Sequence, residues 1–203
     1  MIRILIADDE NLIRAALTQL LELEDDITVV AQAASGRAAL DEARALAATG
    51  GLDVAVLDLQ MPDPDGIAVA AELVGLSIHS IIVTSHGRPG HLKRALAAGV
   101  RGFLPKTTEA HRLAEVIRIV ASGGRYVDPQ LAAEAIGAGD SPLTPREADC
   151  LELAANGAGI EDIAARVHLS PGTVRNYLSS AITKLGAANR HDACAKAARM
   201  GWI

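Results

Sequence analysis

Up to residue 122 the chain repeats one pattern five times, a short apolar run followed by a stretch with helical periodicity. The runs fall at 2–7, 27–33, 53–58, 80–84 and 101–104, and the helical stretches at 11–23, 35–48, 66–76, 89–98 and 108–122. Several runs, Val54-Ala55-Val56-Leu57 among them, are apolar without alternation, as expected of strands covered on both faces. Strand and helix alternating in this way predict a doubly wound α/β domain built on a five-stranded parallel sheet. Gly50-Gly51, Gly99 and Gly123-Gly124 follow helical stretches, where a left-handed cap is wanted.

The residues at which these runs stop carry the chemistry. The first run leads into Asp8-Asp9, the third ends in Asp58, Ile81-Ile82-Val83 ends in Thr84, and Gly102-Phe103-Leu104-Pro105 leads to Lys106. In an open parallel sheet the carboxyl ends of the strands share an edge, and ligands bind at that edge. Three carboxylates gathered there repel one another unless a cation joins them. The set therefore points to Mg²⁺ and a phosphoryl group. Each residue also has a plainer reading. Asp58 alone would cap the turn before Pro62, Asp8 or Asp9 would cap the next helix, Lys106 would be a solvated strand-end lysine, and Phe103 would be ordinary core. Finding the carboxylates and the lysine in register favours the site.

After a short extension at 126–136, in which Pro129 opens a helical turn or two, comes Gly137-Ala138-Gly139-Asp140-Ser141-Pro142. This is the one linker-like composition in the chain. Four helices are expected beyond it. Thr144-Pro145-Arg146-Glu147 is a capping box with proline at the first helical position. A second helix is expected over 160–167. A third follows the turn His168-Leu169-Ser170 and ends at Gly186, and Asn189 caps a fourth. Two short helices joined by a tight turn, the second rich in polar and basic residues, make a helix-turn-helix. From Ile163 onward six basic residues face a single acidic one, Asp192, whereas the whole chain carries a net charge of −6. An acidic front and a basic back imply two domains with different partners.

Composition narrows the choices further. Aromatic residues make up only 2% of the chain, too few for a stacking platform for single-stranded nucleic acid. Cys150 and Cys194 form no metal-ligand spacing and suit a reducing compartment. No apolar stretch approaches the ~20 residues of a membrane span, and the N-terminus runs straight into a strand, so a cytoplasmic protein without membrane insertion is expected.

These motifs resemble the NarL/FixJ class of bacterial two-component response regulators, and the resemblance covers essentially the whole chain. The receiver signature is Asp8-Asp9, Asp58 with Met61-Pro62, Thr84, Phe103 and Lys106. The output signature of the LuxR-type helix-turn-helix is Leu143-Thr144-Pro145-Arg146-Glu147, Ile163-Ala164, the segment from Leu169 to Arg175, and Lys184-Leu185. Arg88-Pro89-Gly90, Gly172-Thr173-Val174-Arg175-Asn176-Tyr177 and Gly201-Trp202 look most like regulators of membrane-lipid desaturase genes. The resemblance implies a flavodoxin-like receiver at 1–122, a helical extension and linker at 123–142, and a DNA-binding domain at 143–203.

It also implies roles. Asp58 is the phosphoacceptor, and Asp8, Asp9, Asp58 and the Gln60 carbonyl hold Mg²⁺. Thr84 and Lys106 bind the phosphoryl group, with Phe103 turning in behind Thr84. The class often has proline after this lysine; here Pro105 precedes it and Thr107 follows. Gln60 and His86 occupy the positions that tune phosphoryl lifetime, and neither is acidic, which predicts a lifetime of minutes or longer. Ser170, Thr173, Val174, Arg175, Asn176, Ser179, Lys184 and Arg190 meet double-stranded DNA, with Arg175, Asn176 and Ser179 at base edges and Ser170, Thr173, Lys184 and Arg190 at phosphates. A sensor histidine kinase is the implied donor, and a homodimer formed on phosphorylation is the implied binding unit.

Two dimer surfaces are available. Leu12, Ile13, Leu113, Val116, Ile117 and Val120 lie on the first and last receiver helices, and Ala193, Ala197 and Ala198 on the final helix; burial within one chain competes with each. Three rivals differ in class. One is an atypical regulator controlled by a ligand or partner, against which the intact acidic set speaks. Another is a phosphatase using Asp58 as nucleophile, which would want an acid at Gln60. The last is a quorum sensor, whose pocket would want aromatics.

Overall fold

The computed structural model describes residues 1–62, 64–85, 87–137 and 141–203; Asp63, His86 and linker positions 138–140 lie outside the described residues. By contacts the chain divides into two compact units, Met1–Gly87 with Lys93–Pro129, and Arg88–Leu92 with Gln130–Ile203.

The first unit alternates strands and helices as expected: β1 (Ile2–Ala7), α1 (Asn11–Leu21), β2 (Ile27–Ala33), α2 (Gly36–Ala47), β3 (Val54–Asp58), α3 (Gly66–Val74), β4 (His79–Thr84), α4 (Pro89–Ala97), β5 (Gly102–Pro105) and α5 (Ala110–Ala121). Element ends fall within about two residues of the expected ones, the usual fraying of helix and strand termini. Ser35 and Asp65 cap α2 and α3 through their side chains, accepting from the amides of Ala38 and Ala68. Gly50, Gly99 and Gly123 take the expected left-handed conformation after their helices.

The sheet corrects the expected strand number. It has six strands, in the order β2-β1-β3-β4-β5-β6, because Tyr126–Val127 forms β6 alongside β5. The Tyr126 amide donates to the Arg101 carbonyl (2.8 Å) and the Asp128 amide to that of Phe103 (3.0 Å). The Arg112 guanidinium lies 4.8 Å over the Tyr126 ring. A two-residue strand is too short to show any periodicity in the sequence, so only its docking against β5 defines it. Every neighbouring pair is parallel.

The chain goes from β1 to the edge at β2 and returns past β1 to β3, so the topological switch point lies between β1 and β3. One face of the sheet, through Ile4, Ile6, Val54, Val56, Val83 and Leu104, packs on Leu113, Val116, Ile117 and Val120 of α5 and on Leu21 at the end of α1. Val116, Ile117 and Val120 of the expected dimer surface are therefore core, whereas Leu12 is 81% exposed.

The helical unit contains α6 (Pro129–Gly137), α7 (Pro145–Ala155), α8 (Ile160–Arg166), α9 (Pro171–Lys184) and α10 (Arg190–Arg199). The Thr144 capping box is formed in both directions, and Ser170 and Asn189 cap α9 and α10. Leu151, Ile163, Val174, Leu178, Ala193 and Ala197 join the helices in one apolar core. Ala193 and Ala197 are fully buried there. Both cysteines are buried and unpaired, and burial pushes the Cys150 thiol up to about 11. Among the described residues no helix is long and apolar enough to cross a membrane.

Candidate functional site

The switch point and the strand ends gather the acidic set. One carboxylate oxygen from each of Asp8, Asp9 and Asp58 lies within 4.8 Å of the others. Asp8 and Asp58 are buried, at 2% and 6% exposure. Burial, and then the Asp8 charge, push the Asp58 carboxyl up to about 7 against the attraction of Lys106 and a hydrogen bond from the Gln60 amide. A carboxylate so destabilised, beside two others, calls for a cation. Three hard oxygen donors on one open sheet edge suit Mg²⁺, which takes few protein ligands and keeps water on its other sides.

Lys106 enters from the end of β5. Its amide donates to the Thr84 carbonyl (2.8 Å), which ties the two strand ends together even though Pro105 has no N–H to offer the ladder. Its ammonium lies 2.9 Å from Asp8, 3.3 Å from Asp58 and 3.0 Å from Glu10. Burial would lower the Lys106 pKa, but the charges of Asp58 and Asp8 and the hydrogen bonds it donates to Asp8 and Glu10 raise it, so the lysine stays charged. Pro105 before the lysine thus leaves its reach to the acids intact.

Thr84 and Phe103 are both buried, at 1% and 0% exposure. Ile82 pairs with Phe103 and Thr84 with Pro105. Alternation along the strands puts Thr84, Ile82 and Phe103 on the face opposite Val83 and Leu104. The hydroxyl at the sheet edge and the ring one step below it are therefore diagonal neighbours on one face. His86 lies outside the described residues.

Sequence reasoning missed two residues around this pocket. Glu10 was not singled out, yet its carboxylate is the third acceptor of Lys106. Gly66 stood only as the start of a helical stretch, but a Cβ there would meet the Asp58 carbonyl oxygen at 2.1 Å, so the loop after Asp58 closes only around glycine. The signal available for Gly66 was the Pro-Asp-Gly turn itself.

In the helical unit Ser170, Arg175, Asn176, Ser179 and Arg190 are exposed and Thr173 is half-buried. Ser170 and Thr173 share a hydroxyl hydrogen bond at the start of α9. His168, in the turn before it, takes a left-handed conformation (φ 54°) although it is not glycine, as the tight turn between α8 and α9 requires. One expected DNA contact is corrected. Val174 is 0% exposed and belongs to the helical core, because it lies on the face of α9 opposite Arg175 and Asn176. Lys184 is exposed, with its ammonium 2.8 Å from the buried Glu147 carboxylate. Ser180 also donates to Glu147 (2.6 Å), as does the Thr144 amide (2.6 Å). Burial pushes the Glu147 carboxyl up, but these hydrogen bonds, that of Lys184 first, outweigh it and hold it at about 2.

Comparison with known proteins agrees with both halves. Residues 4–118 match the response regulator receiver domain, and residues 141–197 match the LuxR family of bacterial regulatory proteins. The chain therefore belongs to the two-component response regulators of the NarL/FixJ class, with a receiver and a LuxR-type DNA-binding domain. It is 42% identical to the uncharacterized transcriptional regulatory protein YvfU and 39% identical to the transcriptional regulatory protein DesR, both of Bacillus subtilis, over the full length of both chains in each case. Among solved structures it is similar to the response regulator ChrA of a heme-sensing two component system. That likeness has 30% identity and a TM-score of 0.56 and covers 100% of this chain and 98% of that one.

Proposed function

We propose that this protein is a cytoplasmic transcription factor switched by phosphorylation of Asp58, with a receiver at 1–122, an extension and linker at 123–142 and a DNA-binding domain at 143–203. The observation that carries the reading is the charged Lys106 lying between Asp8 and Asp58 at the switch point of the sheet. A sensor histidine kinase supplies the phosphoryl group. An Asp58 carboxylate oxygen forms the new P–O bond as the P–N bond of the donor breaks. Asp8, Asp9, Asp58 and the Gln60 carbonyl hold Mg²⁺, which when bound neutralises charge on the phosphoryl oxygens.

Lys106 then exchanges a carboxylate for a phosphoryl oxygen. The Thr84 hydroxyl donates to another, and Phe103, its diagonal neighbour, moves with it. Phosphorylation adds roughly −1.5 to −2 charges and three acceptor oxygens, enough to bias a loop with two arrangements. Without an acid at Gln60 or His86 to activate water, the phosphoryl group persists for minutes or longer; a half-life of seconds would sink that expectation.

The response is dimerisation and binding to double-stranded DNA. One helix-turn-helix buries little surface, so specific affinity wants two half-sites about one helical turn apart. Arg175, Asn176 and Ser179 face base edges, and Ser170, Thr173, Lys184 and Arg190 face phosphates.

Solution molar mass with Mg²⁺, with and without beryllofluoride, tests the switch in the wild type and in Asp58→Asn. A shift from monomer to dimer in the wild type alone is expected. No shift in either protein would transfer the regulation to a ligand or protein partner.

A further inference from the structure

The arginine expected to read DNA has a charged neighbour on another helix. Arg175 Nη2 lies 3.7 Å from Glu161 Oε1, with the two side chains 58% and 76% exposed. Glu161 and Asp162 are both in the first turn of α8. Acids there suit the positive end of a helix dipole, and that explains Asp162 well enough. A carboxyl oxygen of Asp162 lies 3.4 Å from where a Cβ on Gly159 would stand, so its side chain turns back to its own helix end. Glu161 instead extends to α9. Beyond this turn the chain is almost wholly basic, with Asp192 the single acidic residue from Ile163 to the end. A negative charge beside the recognition arginine is therefore a local exception on the surface that approaches a polyanion.

We propose that Glu161 is a specificity-determining residue of the DNA interface, one that weakens binding to non-operator DNA by competing with phosphates for Arg175. The inference rests on the DNA-binding reading above. An arginine free to swing binds phosphate anywhere along a duplex, which adds affinity and no sequence information. Beside Glu161, it must leave the carboxylate to reach a phosphate. Guanine poses no such conflict. Its O6 and N7 occupy two of the five guanidinium N–H donors, and the guanidinium charge stays beside Glu161. The carboxylate thus penalises the wrong contact while leaving the right one, as specificity by repulsion requires.

The test uses the full chain with Mg²⁺ and beryllofluoride. Affinities are measured across a salt series for a duplex selected by the wild type from a random library and for a scrambled duplex of the same composition. E161Q should bind the scrambled duplex about 3- to 10-fold tighter, with a steeper salt dependence. Binding to the selected duplex should change by less than about twofold, so discrimination falls. In the R175A background the same Glu161→Gln change should shift scrambled binding by less than about twofold, because no arginine is released. Equal tightening on both duplexes, no change on either, or an undiminished effect in R175A overturns the proposal. A wild type that enriches no sequence and binds neither duplex overturns the DNA-binding reading itself and this proposal with it.

Discussion

Asp58 and Lys106 are nearly buried, come from different strands and are already in contact with each other. Arg175 and Asn176 are exposed and come from neighbouring positions of one helix. Under the proposed function, the difference follows from what each surface must meet. A phosphoryl group is small and its reaction needs fixed charges away from bulk water, so the sheet edge holds its groups close and screened. A duplex is larger than the domain, so the helix presents its groups outward and keeps its organisation beneath them. In the helical unit the ionic tie from the buried Glu147 carboxylate to Lys184, with Ser180, joins α7 to α9.

The sharpest way to break the comparison is at Gly66. A methyl group there would stand 2.1 Å from the Asp58 carbonyl oxygen, which a backbone atom cannot avoid without moving the loop. Gly66→Ala should cost about 3–4 kcal/mol and reduce hydrogen-exchange protection of β3, while leaving the helical unit unchanged. An unaltered β3 would mean that the loop after Asp58 tolerates another path.

Glu147 sharpens the other side. Its carboxyl is 5% exposed and held at about 2, below the ordinary 4.5. A depressed folded value means stability that is fully present above about 4.5 and lost as pH falls toward 2, roughly 3 kcal/mol in all. Trp202, the chain's one tryptophan, packs against the helical core and reports on this unit. Urea unfolding followed by its fluorescence should show that loss on acidification in the wild type, and a much flatter profile in Glu147→Gln.

A smaller effect separates neighbouring positions of α9. Val174→Ala should lower the stability of the helical unit by about 1–3 kcal/mol through the cavity it leaves. Asn176→Ala should leave unfolding within about 0.5 kcal/mol of the wild type and weaken binding to the selected duplex. If both substitutions act on stability alike, Asn176 is not a surface reader.

Much of the first unit was legible because its inner strands, β3 and β4 above all, are buried on both faces and so appear as unbroken apolar runs. Their last residues, Asp58 and Thr84, and those just beyond, Asp8, Asp9 and Lys106, stood out because polar groups interrupt those runs. The caps at Thr144 and Asn189 were legible too, since a cap is set by a few adjacent residues. Strand β6 was not, because two residues have no period and its existence depends on the free edge of β5.

The sequence by itself determined the alternating elements, the helix-turn-helix and the identity of the charged groups, since periodicity, capping and residue type are local. Tertiary structure alone decided which charges meet. It gave Lys106 a third acid in Glu10, paired Lys184 with Glu147, put Val174 in the core and set Glu161 beside Arg175. Pairing between distant segments depends on where the packed elements bring side chains within a few ångströms, and no local pattern encodes that distance.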